Sequence, residues 1–371
     1  MNYTKTELHT HLVGMLSIKG ILRMTRLLNY PGFPIDANGE LDFENVETAT
    51  RSKNITPQII KGLMIPKGET IEYNELDNIY YNRNSLLAEL GKMMSNVVDN
   101  SLNKVYALYL NFCLDELISQ GVEYVEISFS NLTRIKFMME NIHPKILEKI
   151  DIRFLLSTNR SRSIVDMKSD KKKLEKGIKN DAAIGFDFMG LEEEFNNNEN
   201  DSRKAPSNSI NSFKIKLDMT IDILKDYPRS VLRIHAGENI RAKKNPLSTL
   251  KMIDSIAKER GIVIPPPEVR LGHAIYYQDC DEYLDLLRKY KVIIEINSSS
   301  NMALSNVKTC KDINYEYYVN NGIPLVLSTD GGGMYDTSIE KENHIALNIA
   351  GGEIFKRIFE TDSQLLSDKR R

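Results

Sequence analysis

Residues 6–15 read TELHTHLVGM, a short and mostly apolar stretch with two histidines one residue apart. Side chains alternate faces along a β-strand, so positions i and i+2 point the same way. His9 and His11 therefore project side by side from one strand. Two imidazoles in one space are either a chance pair or half of a metal site. The rest of the chain has to decide between them.

Seven more apolar, β-branched-rich segments follow: EYVEISFS (123–130), DIRFLLST (151–158), AIGFDFM (183–189), SVLRIHA (230–236), VRLGHA (269–274), VIIEIN (292–297) and PLVLST (324–329). Between them lie helical stretches at 101–120, closed by Gly121, at 247–260, closed by Gly261, and at 279–291. Glycine just past the last turn is a common helix stop. Alternating strand and helix implies a parallel sheet. Eight such units in 371 residues imply an α/β chain closed as a (β/α)8 barrel. An open doubly wound sheet is the competing arrangement, but no GxGxxG follows the first strand. The whole chain, 1–371, reads as one barrel domain. It carries an Asn-, Pro- and Gly-punctuated insertion at about 29–85, long enough to hold short helices, and a polar loop at about 192–209. These follow strands 1 and 4, on the barrel face where active sites lie; they are either lids or surface decoration.

Composition is ordinary for a globular protein, with 41% hydrophobic and 27% charged residues and a net charge of −2. No basic bias points to nucleic acid or an anionic membrane surface. No apolar run approaches the ~20 residues of a membrane span, and no basic-then-apolar leader opens the chain. Cys113, Cys280 and Cys310 are far apart, without CxxC spacing. They read as reduced thiols, and the expectation is a cytoplasmic protein. Nothing in the pattern speaks to oligomeric state.

Four of the six histidines, His9, His11, His235 and His273, fall at or near the C-terminal ends of expected strands. In a barrel those ends converge on the catalytic rim. Asp330 follows strand 8 in LSTDGGG. Three imidazoles and a carboxylate make a suitable donor set for Zn²⁺ with a position left for water. HAGE (235–238) puts Glu238 beside that set as a proton donor or base. A zinc site can lower the pKa of water to about 7, which makes hydroxide available for attack on an sp² carbon. His143 and His344 have no such placement. Singly each motif is weak, since an Asp after a strand is routinely a helix cap. In order, each at a strand end, they indicate a metal-dependent hydrolase.

ELHTHLVG, GFDFMGLEE, IHAGE, RLGHA, INSSSN and LSTDGG together resemble the adenosine and AMP deaminase family over nearly the whole chain. The resemblance implies a single Zn²⁺ held by His9, His11, His235 and Asp330. It implies Glu238 as the acid that protonates purine N1 while hydroxide attacks C6, and His273 as the group that orients and supports the hydroxide. Gly190 would contact N3 of the base. The implied reaction is hydrolytic deamination of a 6-aminopurine, adenosine or deoxyadenosine, with release of ammonia. Protonating N1 neutralises charge as it develops, which is stabilisation aimed at the transition state. It requires a carboxyl that is protonated when substrate binds.

Two family features are missing. The family usually reads HxHLDG, the Asp holding the ribose 5′-hydroxyl; here Val13 stands there. It usually has a second Asp after strand 8 that contacts N7; here Gly331 stands there, and Tyr335 or Asp336 would have to supply the contact. Lys19 lies eight residues past His11, as in the AMP deaminase arrangement that holds phosphate. Arg160, Arg162 and the Gly331–Gly333 run are further candidates for an anion. A 5′-phosphorylated substrate, AMP or ATP, is therefore the alternative to the nucleoside. Against it, Lys19 can be a solvated helix residue, Arg160 can pair with a structural carboxylate, and the glycines can form a tight turn. A barrel that binds purine without turnover is disfavoured by the retention of all four expected ligands and Glu238.

Overall fold

The computed structural model describes residues 4–28, 62–66, 68–95, 100–196, 209–227, 229–262, 267–304 and 306–370. Residues 29–61 of the expected insertion and 197–208 of the polar loop lie outside them. The described strands are β1 (Thr6–His11), β2 (Tyr124–Phe129), β3 (Asp151–Asn159), β4 (Gly185–Met189), β5 (Val231–Ala236), β6 (Glu268–His273), β7 (Ile293–Ile296) and β8 (Leu325–Leu327). They pair in chain order from β1 to β8, and each pairing is parallel. A parallel bridge between Thr10 and Asp330 joins the first strand to the end of the last. Asp330 N–H donates to His9 O at 2.8 Å and His11 N–H donates to Asp330 O at 2.9 Å. Barrel closure itself thus brings two histidines from the N-terminus against an aspartate near the C-terminus. All eight expected strands are present, and the (β/α)8 barrel expected from the alternation is what forms.

Two short helices, α1 (Leu12–Met15) and α2 (Ile18–Leu27), follow β1. α3 (Tyr73–Ser95) begins within the insertion, and α4 (Ser101–Ser119) follows it. The insertion was expected to hold short helices; its described end belongs to the 23-residue α3. Helices then alternate with strands. For example, α5 (Asn245–Glu259) follows β5 and buries Leu247, Leu250, Ile253, Ile256 and Ala257 at three- and four-residue spacing. Each of the leucine and isoleucine side chains contributes about 1.5–3 kcal/mol when fully buried. The long C-terminal α6 (Ile339–Arg370) kinks at Gly351, and Asp362 on it accepts the Lys5 backbone N–H at 2.7 Å below the start of β1. No described helix is long and apolar enough to cross a membrane.

The barrel interior is not purely apolar. Glu126, Arg233, Arg270 and Glu295 are fully buried. Arg270 Nη1 lies 2.7 Å from Glu126 Oε2 and 3.1 Å from Glu295 Oε1. Arg233 Nε lies 2.9 Å from Glu295 Oε2. Burial alone would raise the Glu126 carboxyl, but Arg270 and Lys369 bring it down to about 2. Buried charges of this kind persist only when paired, because desolvating an unpaired ion costs several kcal/mol.

Candidate active site

His9, His11, His235 and His273 leave the C-terminal ends of β1, β5 and β6 and meet on one rim. The His9 ring centroid lies 4.6 Å from that of His235, 5.1 Å from that of His273 and 5.5 Å from that of His11. The nitrogen ligand atoms of His9, His11 and His235 lie within 4.8 Å of one another. Asp330 joins them, its Oδ1 lying 3.3 Å from His11 Nε2 and 3.8 Å from His9 Nε2. All five predicted catalytic and ligand side chains around this point, with Glu238, are buried.

Two of the rings are oriented by a partner on their far side. His9 Nδ1 lies 2.9 Å from Glu295 Oε2. A carboxylate only accepts, so Nδ1 carries the proton and Nε2 faces the cluster with its lone pair. His273 Nδ1 donates to Asn301 Oδ1 at 3.0 Å, which leaves its Nε2 free on the pocket side. Ser300 donates to Asp330 Oδ2 at 2.7 Å, so Oδ1 is the oxygen that faces the histidines. His273 and Asp330 both hold positive φ, 66° and 64°. That is uncommon for residues with side chains, and such strain persists only where the surroundings enforce it.

The electrostatics favour a cation. Burial, with nearby Arg233, holds His9 well below its usual range, and burial brings His11 down to about 4. Both rings are neutral at pH 7 and offer lone pairs. The Nε2 atoms of His9, His235 and His273 are buried without a hydrogen-bond partner among the described residues. Unsatisfied buried nitrogens are costly, and those of His9 and His235, converging with the His11 ring beside the Asp330 carboxylate, are what a divalent metal satisfies. The residues present therefore fit a zinc-type ion.

Glu238 sits next to this cluster, its Oε1 3.8 Å from His273 Nε2. Burial, together with Asp330 and Glu192, pushes its carboxyl up to about 8 against the pull of His235. The HAGE turn is held from below by Glu192, whose Oε2 accepts Glu238 N–H at 2.7 Å and whose Oε1 accepts Gly237 N–H at 3.0 Å. Gly237 has φ 75°, and a Cβ there would lie 2.1 Å from Tyr276 O, so no other residue fits.

A cavity of about 280 Å³ opens beside the cluster, lined by His11, His235, Glu238, His273 and Asp330 at its inner end. Val13 and Gly190, two of the predicted substrate contacts, also line it. The other two do not: Lys19 lies exposed on α2, and Gly331 packs against the Gly14 backbone. The neighbouring Gly333 explains the glycine run, since a Cβ there would lie 1.9 Å from Leu16 O; the run is a close backbone approach. Arg160 is buried, donates to His235 O at 2.7 Å and pairs with Glu192 at 3.3 Å. Arg162 pairs with Asp170 at 3.2 Å. Of the candidates for the missing base contact, Tyr335 lines the cavity, whereas Asp336 does not and lies near Lys341. His143 caps a short helix turn by accepting Lys145 N–H, and His344 is solvent-facing on α6.

Sequence reasoning missed several residues of this site. Glu295, in VIIEIN, and Asn301, at the end of INSSSN, lie in recognised segments but are given no role there. Asp187, inside GFDFMG, places Oδ1 3.4 Å from His235 Nε2 while Oδ2 accepts from Ser128 at 2.5 Å. Burial opposes its ionisation, but His235 and Arg233 hold it well below the usual carboxylate range. A charged residue in the middle of a doubly buried strand was the available signal. The wall formed by Tyr73, Leu76, Asp77, Tyr80 and Asn84 of α3 carried no local signal at all.

Comparisons with known proteins find adenosine deaminases and related deaminases. The family model described as adenosine deaminase matches residues 266–356. The adenosine deaminase of Enterococcus faecalis is 34% identical over 73 residues, 20% of this chain and 22% of that relative, so this alignment spans under a quarter of its length. The adenosine deaminase of Clostridium botulinum is 21% identical over 96% of this chain and 91% of its own. Among solved structures, the N6-mAMP deaminase of Arabidopsis is similar with a TM-score of 0.61 at 17% identity, covering 97% of this chain and 92% of that one. At that identity the likeness speaks for the barrel alone.

Proposed function

We propose that the chain, which matches the adenosine deaminase model over residues 266–356 and an adenosine deaminase at 21% identity over 96% of its length, is an aminohydrolase that deaminates an unphosphorylated 6-aminopurine nucleoside, adenosine or deoxyadenosine. His9, His11, His235 and Asp330 would hold one zinc ion. Such an ion supplies hydroxide at neutral pH by lowering the pKa of water. The remaining chemistry belongs to the side chains.

Glu238 is the proton donor. Its carboxyl, raised to about 8, is protonated at pH 7 and can deliver its proton to N1 as C6 is attacked. The C6–N bond then breaks as the proton of the attacking hydroxyl passes to the amine, which leaves as ammonia, with a carbonyl oxygen in its place on C6. His273 presents Nε2, fixed by the Asn301 bond, to orient the attacking oxygen. Glu192 keeps the Glu238 backbone in register. Tyr73, Tyr80 and Tyr335 wall the cavity and exclude bulk water from the reacting carbon.

One observation carries the choice of a nucleoside over a nucleotide. Among the described residues that line the cavity there is no lysine or arginine, while Asp77, Glu238 and Asp330 are present. A phosphate brought into such a pocket meets the Asp77 carboxylate and no lysine or arginine to pair with. Lys19, Arg160 and Arg162 are exposed or committed elsewhere. The test is ammonia release by the zinc-loaded protein from adenosine, deoxyadenosine, AMP and ATP in parallel. Turnover of the two nucleosides is expected; turnover of AMP or ATP alone would overturn the reading of the substrate.

A further inference from the structure

The cavity has one charged residue that the proposed chemistry does not use. Tyr73, Leu76, Asp77, Tyr80 and Asn84 all line it, and their spacing of three and four residues puts them on one face of α3. That face is not a loose lid. Arg83, on the same helix and 1% exposed, donates through Nη1 to Val13 O and Leu16 O, each at 3.0 Å, and through Nε to Leu63 O at 2.5 Å. Tyr109 donates to the same Val13 O at 2.7 Å. The wall is therefore tied to the chain that leaves β1 just after His11, and its side chains stand at a set height above the reacting centre.

The polar groups on this face are not equivalent. Asn84 is committed, accepting from Tyr106 at 2.7 Å and donating to Tyr80 O at 3.0 Å. Tyr73 and Tyr80 stay neutral, because burial and the nearby carboxylates push their hydroxyls up. Val13 offers only methyl groups to the cavity, and its carbonyl is already engaged. Asp77 is exposed and makes no hydrogen bond or ion pair with any described residue. A carboxylate is an acceptor only, so what it binds must donate. A sugar offers hydroxyl donors; a phosphate offers like charge.

We infer that Asp77 is the specificity-determining residue for the sugar: its carboxylate accepts hydrogen bonds from ribose hydroxyls and repels 5′-phosphorylated substrates. This rests on the nucleoside reading above. It transfers to a helix of the insertion a recognition task that no side chain at the end of β1 can perform.

The experiment measures kcat and KM for adenosine, its 2′-, 3′- and 5′-deoxy analogues and AMP with wild-type protein, Asp77→Ala and Asp77→Asn. Removing a hydrogen bond to a charged group costs about 10- to 100-fold, so Asp77→Ala is expected to lose that much in kcat/KM for adenosine, mainly through KM. The analogue that lacks the contacted hydroxyl loses nothing further. Asp77→Asn keeps an acceptor but removes the charge, and is expected to raise AMP turnover relative to adenosine. Equal losses on adenosine and every deoxy analogue, or no loss on any, overturn the assignment. An unchanged AMP-to-adenosine ratio in Asp77→Asn overturns the repulsion. A wild-type protein inert towards every purine overturns the proposed function and the assignment together, whereas an active wild type with indifferent Asp77 variants overturns the assignment alone.

Discussion

His9 Nδ1 lies 2.9 Å from Glu295 Oε2, with both side chains fully buried. The pair fixes which imidazole nitrogen faces the cluster, and it connects the rim to the ion pairs in the barrel interior through Arg233, 2.9 Å from the same oxygen. The partner behind a ligand histidine sets its tautomer and basicity.

Glu295→Gln is therefore expected to weaken metal binding about 10- to 100-fold, read as the dissociation constant in a chelator competition. The metal-free variant will also melt lower, because Arg233 and Arg270 lose a buried counter-charge. Wild-type metal affinity in this variant would remove Glu295 from the site.

Glu238→Gln keeps the shape of the carboxyl and removes the proton. General acid catalysis contributes about 10²- to 10⁴-fold, so kcat is expected to fall by that range. Metal content and inosine binding by calorimetry should stay near wild type. A near-normal rate would show that another group protonates the base.

The interior ion pairs predict a sign for acid stability. The Glu126 carboxyl is lowered from 4.5 to about 2 in the folded chain. A depressed carboxyl stabilises the fold above its unfolded pKa, and that contribution disappears as pH falls through the folded value. Glu126→Gln should melt well below wild type at pH 7, since leaving a buried partner unpaired costs roughly 3–5 kcal/mol. The gap should narrow between about pH 4.5 and 2 as wild-type Glu126 itself becomes protonated. A gap that stays constant with pH would detach it from this carboxyl.

Arg83→Met removes the donor that ties α3 to Val13 and Leu16. The Leu16 and Leu63 carbonyls lose their donor, while Val13 O keeps Tyr109, and unsatisfied buried acceptors cost about 1–3 kcal/mol each. Faster amide exchange across residues 73–95 and a raised KM for adenosine are expected, while metal content is unchanged. Wild-type exchange in that segment would mean that apolar packing alone holds the helix.

Much of the fold and half of the site can be read without coordinates, for local reasons. Strand periodicity is two, so His9 and His11 share a face wherever the strand ends up. Alternating strands and helices leave few closed topologies, and a barrel places His235, His273 and Asp330 on the same rim. What cannot be read locally is the partner of each group. A lysine such as Lys19 has the same sequence signature solvated or binding phosphate, and Arg160 looks like an anion-binding residue until its pairing with Glu192 is seen.

The sequence by itself determined the barrel, the metal-type cluster and the position of Glu238, because these follow from periodicity and from strand ends that any closed barrel brings together. Only the tertiary structure decided that Glu295 stands behind His9, that Glu192 holds the turn under Glu238, and that α3 sets Asp77 over the cavity. Those contacts join residues remote in the chain. Their spacing is set by barrel closure and helix docking, and no short stretch of sequence encodes either.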